Sequence, residues 1–250
     1  MPAFASLAAV SAVRIASLNL CADEYALLMA RPGELVSVSR LSHDPHESTL
    51  ASRAKAITAN RGELEQVIAR RPTVLLTMSG LGRSTAALSR KMRIATIDLP
   101  SPTDIAGVER NLRTVANAFG EPRRAAPFLR KIAELRRTAP RTIVEALFLS
   151  GGGVSIGSWS PAAQWMELAG YRQPKGFSDR VTLEQLLAHP PQILLRSDYR
   201  SGQMSSGQVW FDHPIVGRLT SRTHNVDGRA WTCAGPLMID EVERLRRLPH

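Results

Sequence analysis

The sequence predicts an α/β fold with two Rossmann-like lobes, each built on a mainly parallel sheet, joined by one long helix. Short β-rich runs alternate with helical patterns, which is typical of βαβ units. In addition, a thirteen-residue sequence unit occurs once in each half of the chain. These observations place an amino-terminal lobe at 13–120, the joining helix at 121–140 and a carboxy-terminal lobe at 141–250.

In the first half, β-rich runs occupy 14–20, 35–38, 74–77 and 94–99, and helical patterns occupy 22–30, 64–70 and 85–91. The alternation stops near residue 120. Apolar residues then recur at helical spacing from Ala125 to Leu135, until Pro140 ends the pattern. A helix of about 18 residues would be about 27 Å long, enough to cross between two lobes. Strands at 143–149 and 193–195 and a last helix from about 238 to 248 complete the second half.

The repeated unit reads LEQVIARRPTVLL at 64–76 and LEQLLAHPPQILL at 183–195, with seven identities in thirteen positions. Each copy predicts a short helix, a proline break and a buried strand. The helices are expected to bury Leu64, Val67 and Ile68 in one copy and Leu183, Leu186 and Leu187 in the other. Glu65 and Glu184 then point to solvent at the helix starts, where the helix dipole favours a carboxylate. The alternative is a generic helix–strand unit that recurs by chance.

The chain carries a formal net charge of +10. Such a balance suggests anionic partners, which include nucleic acid, a membrane surface or an acidic small molecule. The basic residues are scattered in pairs, without a run of five like charges and without interleaved aromatic residues. This distribution disfavours a nucleic-acid-binding function.

Residues 1–12, MPAFASLAAVSA, are small and apolar, and Val10-Ser11-Ala12 resembles a signal-peptidase site. The basic residue that should precede such a stretch is missing, so a secretory-signal remnant and a frayed terminus remain alternatives. A lipid anchor at Cys21 is not expected, because the preceding Leu20 is too large. No later segment has about 18 uninterrupted apolar residues, the length that spans a membrane.

The opening run RIASLNLCADE at 14–24, the two Leu-Glu-Gln units, the central helix and WTCAGP at 231–236 resemble one family in order and spacing. This is the class of bacterial ABC-importer binding proteins that carry ferric siderophores, cobalamin or haem. The resemblance implies a periplasmic, non-enzymatic monomer without a cofactor of its own. It also implies that Glu65 and Glu184 dock onto a membrane permease dimer, and that the cargo is a metal chelate.

In that family the ligand lies between the lobes, against loops that follow strand ends, in agreement with the general rule for open α/β sheets. Aromatic side chains there can stack on flat rings, arginines can pair with anionic groups, and glycines permit close approach. The expected ligand-binding residues are Asn19, Leu20, Cys21, Arg61, Ser79, Gly80, Arg83, Gly152, Trp159, Tyr199, Arg229, Trp231 and Cys233. Charge favours a ferric siderophore or haem over cobalamin.

The two cysteines, Cys21 and Cys233, have three interpretations. An even count in an oxidising compartment suggests a disulfide, which would pin the start of one lobe to the end of the other. Alternatively, one or both thiols contact the ligand or its metal. The third interpretation is two inert, partly buried thiols.

The run HDPHE at 43–47 could bind a metal, but Pro45 breaks a helix there, so a polar loop is favoured. No protein-held metal site is therefore expected. The best enzyme alternative is a two-domain tetrapyrrole chelatase, which also uses two α/β lobes. A third class is a sensor module that binds the same ligand and signals to a partner.

Overall fold

The fold contains two parallel β-sheets, one in each half of the chain. The structure is a computed structural model that describes residues 13–80, 82–157, 159–197, 210–211 and 213–249. The first sheet contains β1 (Ile15–Ser17), β2 (Leu35–Ser39), β3 (Thr58–Asn60), β4 (Val74–Met78) and β5 (Ala95–Leu99), in the order β3-β2-β1-β4-β5. The second contains β6 (Val144–Leu149), β7 (Tyr171–Arg172), β8 (Ile193–Ser197) and β9 (Arg222–Val226), in the order β7-β6-β8-β9. Every pairing in both sheets is parallel, as the alternating pattern predicts.

Helices connect the strands and cover the sheets. The α-helices are Leu20–Met29, Ala51–Ala54, Leu64–Ile68, Arg83–Lys91, Ile105–Ala118, Ala126–Arg137, Pro161–Ala169, Leu183–Ala188, Pro214–Gly217, Gly228–Cys233 and Met238–Leu245. Short 3-10 turns occupy Arg40–His43, Pro122–Ala125 and Gly151–Gly153. None of the helices in the described ranges is long and apolar enough to cross a membrane.

The first strand is shorter than the sequence predicts, because a helix begins early. The expected strand over 14–20 ends at Ser17, and Asn19 caps the next helix by accepting a hydrogen bond from the Ala22 amide at 3.1 Å. An asparagine side chain at this position satisfies an amide that the helix leaves unpaired. Leu20 and Cys21 therefore lie in the first helical turn, and the prediction of a loop at these two residues is wrong.

The segment expected to join the lobes is helical but shorter than the predicted 121–140 helix. It starts with the 3-10 turn Pro122–Ala125 and continues as the twelve-residue helix Ala126–Arg137. Ile132 and Leu135 are buried, as the apolar stripe predicts. This helix packs against the last helix, Met238–Leu245.

The repeated units fold alike. Each forms a short helix followed by a buried strand, β4 in one copy and β8 in the other. Leu64 and Leu186 are buried as predicted, but Leu187 is 52% exposed, so its predicted burial is wrong. Leu186 is the only fully buried residue of this helix, so its buried face is narrower than the i, i+3, i+4 spacing predicts. The first-turn residues Glu65 and Glu184 are both exposed.

The two lobes share one core. Buried residues from both halves form a continuous apolar cluster that extends from Ile15 of β1 to Leu245 of the last helix. The Ile105 amide also donates to Gln164 Oε1 across the boundary at 3.0 Å. A shared core of this kind holds the carboxyl ends of the two sheets in a defined relation.

Candidate functional site

A cavity of about 820 Å³ lies at the carboxyl ends of β6 and β8, and all its lining residues belong to the carboxy-terminal lobe, whereas the ligand was expected between the two lobes. The edge of a parallel sheet at which its strands end is the usual ligand site of open α/β folds. The volume falls within the range of small-molecule sites, about 300 to 1,000 Å³. Its lining residues are Phe148, Ser150, Val154, Ser155, Ile156, Gly157, Trp159, Ser160, Ala162, Asp179, Arg180, Ser197, Gly228, Trp231 and Thr232.

Two tryptophans of different character form aromatic walls of this cavity. Trp159 is 71% exposed, and its ring lies against Gly157, where a Cβ atom would be only 2.3 Å from the indole nitrogen. Trp231 is buried, stacks on Phe148 with ring centroids 4.4 Å apart, and donates its indole N–H to Glu241 Oε1 at 3.0 Å. The first ring is available to a ligand, whereas the second is fixed by its neighbours.

The charged lining residues of the cavity are Asp179 and Arg180. One guanidinium nitrogen of Arg180 donates to the Gly152 carbonyl at 3.2 Å. Gly152 has a φ of 71°, which a glycine adopts without strain. At the neighbouring Gly153, a Cβ atom would be 2.2 Å from the Val181 carbonyl. Gly152 was predicted to contact the ligand but does not itself line the cavity, whereas Arg180 lines it and was not predicted, since no local motif distinguishes that arginine from the many others.

The predicted residues of the amino-terminal lobe lie at or near the carboxyl edge of its own sheet, but none of them lines the described cavity. Asn19 donates to Thr77 Oγ1 and to the Met78 carbonyl, both at 2.9 Å, so its side chain is committed to the fold. Ser79 follows β4 with a φ of 49°, and its hydroxyl lies 3.0 Å from that of Ser101. The remaining residues of this group, Gly80, Arg61 and Arg83, are exposed.

Cys21 and Cys233 form a disulfide with a Cα–Cα distance of 5.4 Å. Of the three interpretations, the covalent bridge is therefore the one that the structure shows, and neither sulfur is a free thiol. The bridge joins the first helix of the amino-terminal lobe to the helix Gly228–Cys233, whose residues Gly228, Trp231 and Thr232 line the cavity.

Arg229 was expected to pair with ligand, but its guanidinium already has protein partners. It forms a two-pronged pair with Asp227 and donates to the Pro45 carbonyl of the other lobe at 2.6 Å. Burial opposes ionisation of Asp227, yet the arginine holds the pKa of that carboxyl below its ordinary value. Arg229 thus links the two lobes in this structure. Tyr199 lies outside the described residues.

Two neighbouring carboxyl groups on the first helix are buried, which sequence reasoning missed. Asp23 Oδ2 accepts from the Ser39 amide, the Ser39 hydroxyl and the Ser42 hydroxyl at 2.9, 2.5 and 2.7 Å. Burial nevertheless raises the pKa of Asp23. Glu24 Oε1 accepts from the Leu237 amide of the other lobe at 2.7 Å, and burial raises its pKa to about 8. The signal for these buried carboxyl groups was the pair of adjacent acidic residues, Asp23 and Glu24, in an otherwise apolar helical segment.

The His43–Glu47 run forms a 3-10 turn end and a polar loop. Its Glu47 side chain is buried, and its Pro45 carbonyl accepts the hydrogen bond from Arg229. Among the residues that the structure describes, no group of three or more side chains is arranged to hold a metal ion. A loop that contacts the other lobe accounts for these observations.

The family model for periplasmic binding proteins matches residues 15–209. The chain belongs to the periplasmic binding protein family. The match covers most of the chain, including both repeated units and the joining helix. Proteins of this family bind solutes for import outside the cytoplasm and are not enzymes, so the chelatase alternative is not supported.

Solved structures share the fold of this binding protein. The periplasmic haem-binding protein HutB of Vibrio cholerae superposes with a TM-score of 0.73 at 18% identity, covering 94% of this chain and 98% of the other. RhuT from Roseiflexus sp. RS-1, a haem-binding protein in its apo form, gives 0.69 at 20% identity with coverage of 94% and 98%. BhuT in complex with two hemes gives 0.68 at 17% identity with coverage of 94% and 96%. No curated protein sequence matches the chain.

Proposed function

We propose that this periplasmic binding protein carries a planar, anionic metal chelate of the haem class and delivers it to the permease of an ABC importer. The observation that carries the proposal is the cavity at the carboxyl ends of β6 and β8, with an exposed indole on its wall. Haem-binding proteins among the structures of the same fold add support. Ferric siderophores and cobalamin are the competing cargoes.

The cavity has the chemistry that a flat, carboxylate-bearing chelate needs. Trp159 offers a largely free aromatic face, and stacking of this kind is worth about 0.5 to 1.5 kcal/mol. Arg180 is exposed, and among the described residues its guanidinium makes one hydrogen bond, through a single nitrogen to the Gly152 carbonyl, so the other nitrogens can reach a ligand. An arginine beside an apolar wall can pair with a carboxylate while the ring system lies on the tryptophan.

The test is a titration of the purified protein with haemin, followed by its visible absorbance, with parallel titrations of a ferric siderophore and cobalamin. Binding of haemin at 100 times its dissociation constant stabilises the protein by about 2.7 kcal/mol, which a thermal melt detects. We expect haemin to bind and the other two chelates to bind more weakly. A stabilising response to cobalamin or the siderophore alone would replace haem as the cargo, and no response to any of the three would overturn the proposal.

Delivery is proposed to depend on Glu65 and Glu184. Each lies exposed in the first turn of a short helix, one in each lobe. Hydrogen bonds from its own backbone amide and from Thr182 lower the pKa of Glu184, so this side chain is charged at neutral pH. A pair of fixed anionic groups on two lobes that share a core is suited to cationic residues of a permease dimer.

The double substitution Glu65→Arg/Glu184→Arg tests this role. We expect it to abolish chelate uptake by cells that depend on this protein, while haemin affinity stays at the wild-type value. The matched control is Glu145→Arg/Glu243→Arg, which changes the net charge equally at two other exposed carboxylates. Uptake that survives the first pair, or that is lost equally with the control, would contradict permease docking by these residues. A permease pull-down also separates a transporter component from a sensor.

Two finer points are also proposed. The protein is a monomer that does not bind nucleic acid, and residues 1–12 belong to a secretory signal. Size-exclusion chromatography with light scattering, run without and with added oligonucleotide, tests the first point. Mass spectrometry of the protein recovered from periplasmic extract tests the second, since removal of a signal at the predicted site leaves Val13 as the first residue.

A further inference from the structure

We propose that the amino-terminal lobe has a second functional surface, a basic face that docks onto anionic phospholipid. The surface lies at the amino ends of β1, β4 and β5, the edge of the sheet opposite to the predicted ligand loops. It is independent of the chelate-binding cavity, which is formed by the other lobe. Its residues, called the basic face below, are Arg14, Arg70, Arg71, Arg90, Lys91 and Arg93.

Hydrogen bonds bring these residues together, although the sequence spreads them over eighty positions. The guanidinium of Arg14 donates to the carbonyls of Arg70 at 2.6 Å and of Arg71 at 3.2 Å. The Thr73 amide donates to the Arg14 carbonyl, and the Ala95 amide donates to the Thr73 carbonyl. These hydrogen bonds link the first residues of β1, β4 and β5. The six basic residues lie just before the start of these three strands.

The charges on this face are not balanced. Within the ranges that the structure describes, none of the six side chains pairs with a carboxylate. At the same edge of the sheet, Glu34 is bound to Arg124 and Glu121 to Arg31. Those two carboxylates are therefore neutralised by other arginines and do not offset the basic face.

Two of the six cations stand at left-handed backbone positions. Arg71 and Arg93 have φ values of 49° and 56°, in the region that glycine or asparagine normally occupies at a helix end. Each stands between a helix and the strand that follows it, so a substitution there would also change the backbone strain. A variant that tests the charge should therefore leave both residues unchanged.

An anionic membrane fits this face better than another small ligand does. The six cations are spread along one edge of the sheet and are exposed, except for the half-buried Arg14. They do not converge on a cavity, so each interacts with a separate phosphate. The family places the protein outside the cytoplasm, beside the membrane that holds the permease.

The basic face and the permease-docking residues are at different ends of one element. Glu65 is in the first turn of the helix Leu64–Ile68, and Arg70 follows its last turn. With a rise of 1.5 Å per residue, the two are roughly 8 Å apart along the axis. The basic face and the permease-docking position therefore use different residues, and the two interactions are separable by mutation.

The experiment is co-sedimentation of the full chain with vesicles of phosphatidylglycerol and phosphatidylcholine in equal parts, compared with vesicles of phosphatidylcholine alone. We expect binding to the anionic vesicles only, and loss of binding at about 1 M salt, where the screening length is about 3 Å. Each basic residue near an anionic surface contributes roughly fivefold to partitioning. The variant Arg70→Glu/Arg90→Glu/Lys91→Glu should lower partitioning by at least ~100-fold, and it leaves the two strained positions intact.

The matched control is Arg113→Glu/Arg130→Glu/Arg218→Glu, which changes the net charge by the same amount at exposed arginines outside the basic face. Thermal melts establish that both triple variants are folded. Equal loss of binding in both variants means a general effect of net charge and overturns the proposal, as does failure of the wild-type chain to bind anionic vesicles. Vesicle binding that persists in Glu65→Arg/Glu184→Arg separates this surface from permease docking.

Discussion

Cys21 and Cys233 are 212 residues apart in the sequence, and their disulfide joins the first helix of one lobe to a cavity-lining helix of the other. The same boundary holds the hydrogen bond from the Leu237 amide to buried Glu24 and the one from Arg229 to the Pro45 carbonyl. Three interactions of different chemistry thus hold the lobes together near the cavity. Each responds to a different perturbation, namely reduction, pH and mutation.

The double substitution Cys21→Ser/Cys233→Ser tests the contribution of the bridge. Closing a loop of this length removes chain entropy worth about 5 kcal/mol from the unfolded state, and measured values are usually about 2 to 4 kcal/mol. We expect the free energy of unfolding, measured in urea titrations, to fall by about 2 to 4 kcal/mol. Wild-type protein treated with a dithiol reductant should match the variant, and a variant as stable as the oxidised protein would contradict the assigned bridge.

Glu24 should make the stability depend on pH. Burial raises its pKa from an ordinary value of 4.5 to about 8 in the folded protein. Between pH 4.5 and about pH 8, the Glu24 carboxyl therefore keeps its proton in the folded state but has released it in the unfolded state. This stabilising contribution is complete below pH 4.5 and is lost as the pH rises through 8, for a total of up to about 5 kcal/mol.

The variant Glu24→Gln isolates this contribution, because glutamine keeps the oxygen that accepts from the Leu237 amide but does not titrate. Its free energy of unfolding should be close to the wild-type value near pH 5 and higher than the wild-type value near pH 9. Burial also raises the pKa of Asp23, but this residue is present in both proteins. Its contribution therefore cancels when the free energies of unfolding of the two proteins are subtracted at each pH. A difference that does not change with pH would show that Glu24 does not titrate in this range.

The architecture was predictable because it rests on local patterns. Strand–helix alternation and the two Leu-Glu-Gln units are visible in the sequence and predict two parallel sheets, one in each half, which the structure contains. The errors at Leu20 and Leu187 concern one residue position at the edge of a helix. They arise where a cap or a short helix shifts the boundary, and periodicity does not resolve such shifts.

The position of the candidate cavity in the fold was predictable from the sequence, but the identity of its lining residues was not. The carboxyl edge of the second sheet follows from topology, so Trp159, Trp231 and Gly152 were placed at or beside the cavity. The sequence alone did not decide whether Cys21 and Cys233 are bonded, because the answer depends on the distance between residues of different lobes. Arg229 already has two partners, of which Asp227 lies two positions away and was a local signal, whereas Pro45 lies 184 positions away and was not.

The two tryptophans of the cavity should respond differently to truncation. Trp159→Ala removes a largely exposed ring, so we expect stability within about 0.5 kcal/mol of wild type and a haemin dissociation constant about three- to tenfold higher. Trp231→Ala removes the ring that stacks on Phe148 and the donor to Glu241, and should cost about 3 to 5 kcal/mol of stability. Urea titrations and absorbance titrations measure both effects. Equal destabilisation by both substitutions would contradict the division of roles.

Gly157 should set the position of the Trp159 ring. A Cβ atom at Gly157 would lie 2.3 Å from the indole nitrogen, so Gly157→Ala forces the ring to a new orientation. Because Trp159 is 71% exposed, the ring can move without unfolding the protein, and the loss should appear in haemin affinity and in tryptophan emission. Gly217→Ala is the matched control, since a Cβ atom there meets nothing within 4 Å.

The double variant Gly157→Ala/Trp159→Ala decides whether the glycine acts through the ring. If it does, adding Gly157→Ala to Trp159→Ala should cause no further loss of haemin affinity, because the side chain that it displaces is already absent. Two substitutions that act on one contact are non-additive, whereas independent ones add within about 0.5 kcal/mol. Additive losses would mean that Gly157 itself contacts the ligand through its backbone, and the close approach of the tryptophan would then be incidental to binding.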